Sequence, residues 1–365
     1  MSSSERCPEA GVCRSRSSYA RYWRSWPGRV LTSAVLVLIL VVILVRPGSA
    51  QTVLKIATLA PEGSNWISAL RAIDKEVREE TDGAVGLKIY PGGVQGGEGA
   101  MIRRMRIRQL HGAGFSGGGL SQLFTDVLAL ETPFTFDNYD EVDYVLEQID
   151  DYYRRGFAEV GYAFMGWMEI GFVHLLSKRP IRGRQEMAGM KVWRMQENPV
   201  TGVIFDRAGV NSIPLIIPDV LLGLQTNLVE VVYASPAAAI MLQWFTRVKY
   251  ITDLPIAYAL GAFLIDRRAM DKLTDKQQQV LRDAARRHLK RQRAVSRADN
   301  VEALQVMVDQ GLVLVSPPEE EIKDFQLLVH EALPDLLDTA FSRESFDLVR
   351  SYLSEFRHRP TVSDP

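Results

Sequence analysis

Short apolar runs alternate with helix-spaced apolar stripes along most of the chain, and their order predicts an α/β protein. Val53–Leu59 reads as a buried strand. Pro61-Glu62-Gly63-Ser64 then turns into a helix whose Ile67, Leu70, Ile73 and Val77 recur at helical spacing, and Thr81-Asp82-Gly83 stops it. Val85–Tyr90 resumes a strand, giving the β-α-β opening of a parallel sheet. Pro91–Glu98 reads as a loop, and Met101–Leu110 as the next helix, with four arginines on a solvated face. Asp126–Phe136 is an apolar loop closed by Pro133, followed by a helix over Tyr139–Ile149. Phe164–Leu176 has the length and burial pattern of a strand that crosses from one lobe into a second.

The second half repeats the rhythm. Lys178–Gly189 is a basic turn and short helix, Gly189–Trp193 a strand, Pro199–Ala208 a helix, Asp219–Asn227 an amphipathic helix, and Val229–Tyr233 a strand. A helix over Ala237–Phe245 follows, then strands at Lys249–Leu254 and Ala262–Asp266. Thr274-Asp275-Lys276-Gln277 has the spacing of a capping box, and the helix it starts runs to about Val308, long enough to lie across both lobes. Gly311–Val315, two further helices and a polar tail at His358–Pro365 complete the pattern. Ligands of open α/β sheets bind where strands end and helices begin. Those ends carry Trp193, Gln196, Tyr233 and Ser235, which suit ligand contact rather than acid/base work. The expectation is a two-lobed binding protein with lobes at 51–170 plus 261–300 and at 171–260 plus 301–355.

Composition narrows this further. Residues 1–50 combine an arginine-rich segment, an apolar run from Leu31 to Val45 and the small residues Gly48-Ser49-Ala50, which fits an export signal cleaved before Gln51. The run is shorter than the about 20 residues of a spanning helix. Arg46 and Pro47 keep an uncleaved anchor open as the other reading. Both cysteines, Cys7 and Cys13, precede the run, so the exported part has no disulfide and no cysteine-based zinc site. Seven Arg and two Glu leave with residues 1–50, so the totals of 43 basic and 44 acidic residues become 36 and 42, a net charge of −6. That balance gives no support to nucleic-acid binding.

One stretch matches two catalytic patterns. His111–Gly119 contains GxGxxG from Gly112 to Gly117, and GxSxG around Ser116. Both need a strand–turn–helix, and three consecutive glycines are a poor first helical turn. The stretch reads instead as a glycine-rich strand-end loop lining a cleft. A serine hydrolase built on Ser116 remains as the alternative. His111, His174, His288, His330 and His358 are dispersed without metal-ligand spacing, and only His174 follows a cleft strand.

Several of these residues also resemble a known family. Leu54-Lys55-Ile56-Ala57, Pro61-Glu62-Gly63-Ser64, Gly92-Gly93-Val94 with Gly97-Glu98, and Trp167…Glu169…Gly171 are similar to the solute receptors of tripartite ATP-independent periplasmic (TRAP) transporters. So are Lys178-Arg179-Pro180-Ile181, Gly189-Met190-Lys191-Val192 and Leu224-Gln225-Thr226 through Val232. The resemblance covers about residues 52–340. Pro236–Pro255, with Gln243-Trp244-Phe245 and Lys249-Tyr250, resembles the branch that works beside a tetratricopeptide-repeat lipoprotein. It implies a periplasmic protein of the type II-like, flytrap form, with a long lobe-spanning helix, no cofactor and a membrane permease as partner. A receptor for a sensor rather than a transporter is the other reading.

The family's carboxylate-binding arginine falls on Trp193, a second arginine on Val173, an aromatic on Ile217 and an asparagine on Ser235. With Tyr233, Gln196, Leu59, Trp167 and Phe134, these make the expected ligand site. Arg194 should face away from Trp193, because strand side chains alternate. Loss of both arginines and gain of an indole imply an apolar ligand, since a buried carboxylate needs a fork of donors. Trp193 is expected to project into the cleft; the plainer alternative is that it fills core behind the sheet.

Overall fold

A computed structural model describes residues 51–196 and 198–359. The expected signal segment and the last six residues of the tail lie outside the described residues. The first half of the chain forms β1 (Thr52–Thr58), α1 (Asn65–Glu80), β2 (Val85–Tyr90), α2 (Glu98–Arg106), β3 (Gly112–Ser116), α3 (Gly117–Ser121), α4 (Tyr139–Glu159) and β4 (Tyr162–Ser177). Next come α5 (Arg184–Met187), β5 (Lys191–Met195), α6 (Pro199–Arg207), β6 (Asn211–Leu215), α7 (Ile217–Gln225), β7 (Val231–Ala234) and α8 (Pro236–Met241). The rest is β8 (Tyr250–Thr252), β9 (Ala257–Asp266), α9 (Arg267–Met270), α10 (Asp275–Asp309), β10 (Val313–Val315), α11 (Glu319–Leu336) and α12 (Arg343–Arg357).

The strands form two connected sheets. The order is β2-β1-β3-β9-β4-β7-β5-β6, with β8 on the far end of β4 and β10 beside β8. β1 pairs in parallel with β2 and β3, and β5 in parallel with β6 and β7. β4 pairs antiparallel with β9 from Tyr162 to Val173, then with β7 and β8 at its other end, so β4 belongs to both sheets. Each sheet has a packed apolar layer on both faces. Ile56 and Leu87 meet α1 and α10 through Ile73 and Leu289, whereas Ala57 and Phe115 meet α4 through Val145. In the second sheet Val232 packs toward Leu224 and Met307, and Val231 toward Ile181 and Phe205. Burial on both faces explains the continuous apolar runs of the strands.

Most predicted elements stand, and the departures have local causes. The helix expected at Met101–Leu110 starts at Glu98 and ends at Arg106, two residues before Arg108 takes a left-handed φ of 63°. The helix expected to stop at Ile149 continues to Glu159, because Tyr153 and Phe157 extend its buried stripe through a polar stretch. Gln243, at φ 59°, breaks the helix expected at Ala237–Phe245 and leaves a 3-10 turn over Trp244–Arg247. Within the apolar loop, Thr125–Ala129 is a 3-10 turn. At the C-terminus α12 holds through Arg357, whose guanidinium pairs with Glu141 and Asp137. The Thr274–Gln277 capping box forms as its spacing predicts, with both reciprocal hydrogen bonds.

The glycine-rich stretch is the largest departure. Gly112–Ser116 is a fully buried strand and Gly117–Ser121 a short helix that follows it directly, not a loop. Space explains the choice of residue. A side chain at Gly117 would collide with the Glu131 carboxyl, and one at Gly119 with the Glu98 carboxyl. The glycines therefore let two acidic side chains close on the α3 backbone.

Candidate functional site

Two adjoining cavities open where the sheets meet, and both are lined by Ser116 and Ile170. The larger, about 420 Å³, is bounded by the end of β1 and its following loop, the starts of α7 and α8, and one face of α10. The smaller, about 140 Å³, lies between β4, β7, α6 and α11. Both thus draw walls from the two halves of the sheet, and α10 packs against α1 and α8 alike.

Beside the larger cavity β4 carries a dense hydrogen-bond knot. The Glu169 carbonyl accepts from Trp66 Nε1 at 2.9 Å, Gln292 Nε2 at 2.9 Å and Ser296 Oγ at 3.1 Å. Its carboxylate, 2% exposed, accepts from Arg297 Nε at 3.0 Å, Arg297 Nη2 at 2.9 Å and Tyr258 Oη at 3.1 Å. Arg297 also holds Asp143 through two bonds of 2.7 and 2.8 Å. Burial pushes the Glu169 carboxyl up, against the pull of Arg297. Two residues on, Gly171 sits at φ 108°, where Asn300 Nδ2 occupies the space a side chain would need. Asn300 donates to the Ile170 carbonyl at 2.9 Å and accepts from the Ala237 amide at 3.0 Å, so α10 ties β4 to the start of α8.

The charged floor of the cavities comes from α2 and the loop after α3. Glu98, 4% exposed, accepts from the Ser116 amide at 2.6 Å and from Ser116 Oγ at 2.7 Å. Glu131 accepts from the Leu260 amide at 3.1 Å. Burial pushes its carboxyl up to about 8, opposed by that amide and reinforced by the charge of Glu98. The unfolded chain ionises this group near its ordinary 4.5, whereas the folded chain holds the proton to about 8. Its contribution is therefore undiminished below 4.5 and falls as pH rises through that window. Glu131→Gln is expected to stabilise the protein at pH 7.5 by about 2 kcal/mol, a value below the full shift because part of the side chain is exposed, and to change little at pH 4.5. Urea unfolding of both forms at the two pH values checks it.

The residues expected at the ligand site divide three ways. Leu59, Ile217 and Ser235 line the larger cavity, and Phe134, Val173 and Tyr233 the smaller. Trp193, Trp167 and Gln196 line neither. The expectation that Trp193 projects into the cleft is corrected. Its indole is 1% exposed, stacks on Tyr233 at 4.6 Å between ring centroids, meets Trp244 edge-on at 5.1 Å and donates to the Leu215 carbonyl at 3.0 Å. It fills core because Leu176, Val220 and Val232 enclose it. The argument for an apolar ligand from that indole fails with it. Trp167 lies in the first core edge-on to Tyr153 and Phe164, its Nε1 without a partner, and Gln196 is exposed on a turn. Arg194 packs near Gly202, and His174 is turned to the Thr252 carbonyl at 3.0 Å.

Sequence reasoning missed Glu98, Glu131, Trp66 and Asn300. The glycines at 117 and 119, into whose space the two carboxyls reach, are the signal for the first two, and it reads only in the folded chain. Among the described residues no histidine lines either cavity, and the Ser116 hydroxyl of the hydrolase alternative is bonded to the Glu98 carboxylate.

Residues 56–339 match the family model of bacterial extracellular solute-binding proteins, family 7 (DctP). The chain belongs to that family. A solute-binding protein of Verminephrobacter eiseniae is 26% identical to this receptor over 270 residues, which is 73% of this chain and 80% of the relative. Among solved structures, the sugar acid binding protein DctPAm from Advenella mimigardefordensis, in complex with galactonate, superposes with a TM-score of 0.79 at 20% identity, over 84% of this chain and 98% of that one. A TRAP periplasmic solute binding protein from Chromohalobacter salexigens, with bound D-glucuronate, gives 0.76 at 21% identity, over 82% and 99%. These matches bear out the two-lobed α/β fold of the receptor. Among the described residues no helix is long and apolar enough to cross a membrane.

Proposed function

We propose that this family-7 receptor takes up a small, polar, hydroxylated solute between its lobes in the periplasm and hands it to the membrane subunits of a TRAP permease. The observation that carries this is the cavity of about 420 Å³ lying where the two sheets are joined by β4, β9 and α10. The expectation of an apolar solute is overturned: the two solved structures described above hold galactonate and D-glucuronate, and the indole behind that expectation is in the core. Aliphatic walls such as Leu59, Ile217 and Ile240 suit the C–H faces of a sugar-sized molecule, while Asn65, Ser116 and Ser235 offer polar contacts to its hydroxyls.

The lobe boundaries proposed from sequence, near residues 170 and 260, cut β4 and β9 at paired positions beside the bulge between Glu169 and Gly171. That is where a hinge absorbs backbone rotation. A tetratricopeptide-repeat lipoprotein beside the permease belongs to the same proposal, on the likeness of Pro236–Pro255. The test is identification of co-purified small molecules by mass spectrometry, followed by X-ray scattering of the stripped receptor with and without them. Binding that favours a closed form shifts the population toward it, so the radius of gyration should fall on ligand addition. An unchanged scattering curve at saturating ligand would sink lobe closure.

A further inference from the structure

The cleft carries acid where relatives of this fold hold sugar acids. Glu98, Glu169, Asp299 and Glu302 line the larger cavity without an Arg or Lys, and the smaller holds Glu131 against a single base, Arg184. Arg184 is already paired with Asp324 at 3.1 Å. Of the buried acids, Glu169 is neutralised by Arg297, and Glu98 is bound to the amide and hydroxyl of Ser116. Glu131 has the Leu260 amide and stands in no ion pair among the described residues, although Glu98 adds a second negative charge nearby. A ligand carboxylate would enter a partly dry, acid-lined site in which the one lining base, Arg184, is already held by Asp324, and an unpaired anion there costs binding energy. A ligand cation would meet a desolvated carboxylate that has no other counter-charge.

We propose that the solute recognised in this cleft is a hydroxylated amine, of the size of an amino sugar, whose protonated nitrogen is received by Glu131. The proposal rests on the receptor function above and reverses the charge of the ligand seen in the solved relatives. The groups facing Glu131 are Glu98 from α2 and Tyr233 from β7, with Arg184 from α5 as the charged residue across the small cavity. Tyr233 is pushed up to about 12 by burial and stays neutral near pH 7. Proton release from Glu131 is thus the ionisation that an ammonium ligand requires. Affinity for the amine should rise close to tenfold per pH unit between about pH 6 and 7.

The experiment is a thermal-shift and calorimetric panel on the exported receptor stripped of small molecules. Its three classes are hexosamines and amino polyols, neutral hexoses and polyols, and hexuronates and aldonates. The expected result is stabilisation by members of the amine class, affinity that climbs with pH in wild type, and loss of at least about tenfold in Glu131→Gln. A melting curve checks that the variant is folded, and the pH profile of the unaltered protein tests the same point without it. Stabilisation confined to the acids or the neutral sugars overturns the proposal and leaves the receptor function standing. Amine binding that neither Glu131→Gln nor pH changes also overturns it. Stabilisation by none of the three classes counts against both.

Discussion

Truncating Trp193 to alanine is expected to lower the unfolding free energy by about 3–5 kcal/mol, the range for deleting a large aromatic from a packed core. The indole is among the largest fully buried side chains of the described residues and has aromatic partners on two sides, Tyr233 stacked and Trp244 at its edge. Its loss leaves a cavity between β5, β7 and the 3-10 turn, and strands the Leu215 carbonyl that Nε1 serves. Trp193→Phe should recover most of the packing but not that hydrogen bond. Because the indole lines neither cavity, ligand affinity of the folded fraction should stay within a few-fold of wild type. Denaturant titration gives the stability and calorimetry the affinity. A stability near wild type combined with lost binding would return Trp193 to the ligand site.

Arg297→Met is the second large effect. It leaves Glu169 buried without its cation, and removal of one partner from a buried pair costs about 3–5 kcal/mol. Glu169→Gln should cost less, because the Arg297 it leaves keeps Asp143 as its counter-charge and the amide can still accept from Tyr258. The double variant is therefore expected to be more stable than Arg297→Met alone, and the sign of that coupling is the diagnostic. Midpoints of urea unfolding for the four proteins of the cycle provide it. If Arg297→Met loses less than about 1 kcal/mol, the pair is no more than a surface ion pair.

The fold was largely legible because strand and helix periodicity were strong where one face or both faces were buried. Val53–Leu59, Val85–Tyr90 and Phe164–Leu176 were placed within a residue or two of β1, β2 and β4, and the capping box marked the start of α10. Order and spacing of weak motifs pointed to the family that the match over 56–339 shows. The cleft was harder. The resemblance placed Trp193 where a ligand contact was expected, but the direction of a side chain depends on what packs behind the strand, and Tyr233 and Trp244 are 40 or more positions away in sequence. Glu98 stood in a motif of the resemblance without a role assigned to it, and Glu131 had no local signature of its own. What betrayed them was the absence of side chains at Gly117 and Gly119, which makes sense only once three separate segments are brought together.

The place of β9 in the sheet governs how the chain can assemble. β9 lies between β3 and β4, yet it is made after the whole of β5 to β8. The first sheet cannot close before residue 266 exists, and the α10 stretch that seals α1 comes later still. The closing contacts run across about 150 residues from β3 to β9 and about 85 to 105 from β4 to β9, and carry the loop-closure cost of a high contact order. A nascent chain of this design stays open, with β3 and β4 as unpaired edges, until nearly three quarters of it has been synthesised. Folding delayed in this way keeps the polypeptide in a threadable form over the same interval in which a protein of an extracellular family has to leave the cell.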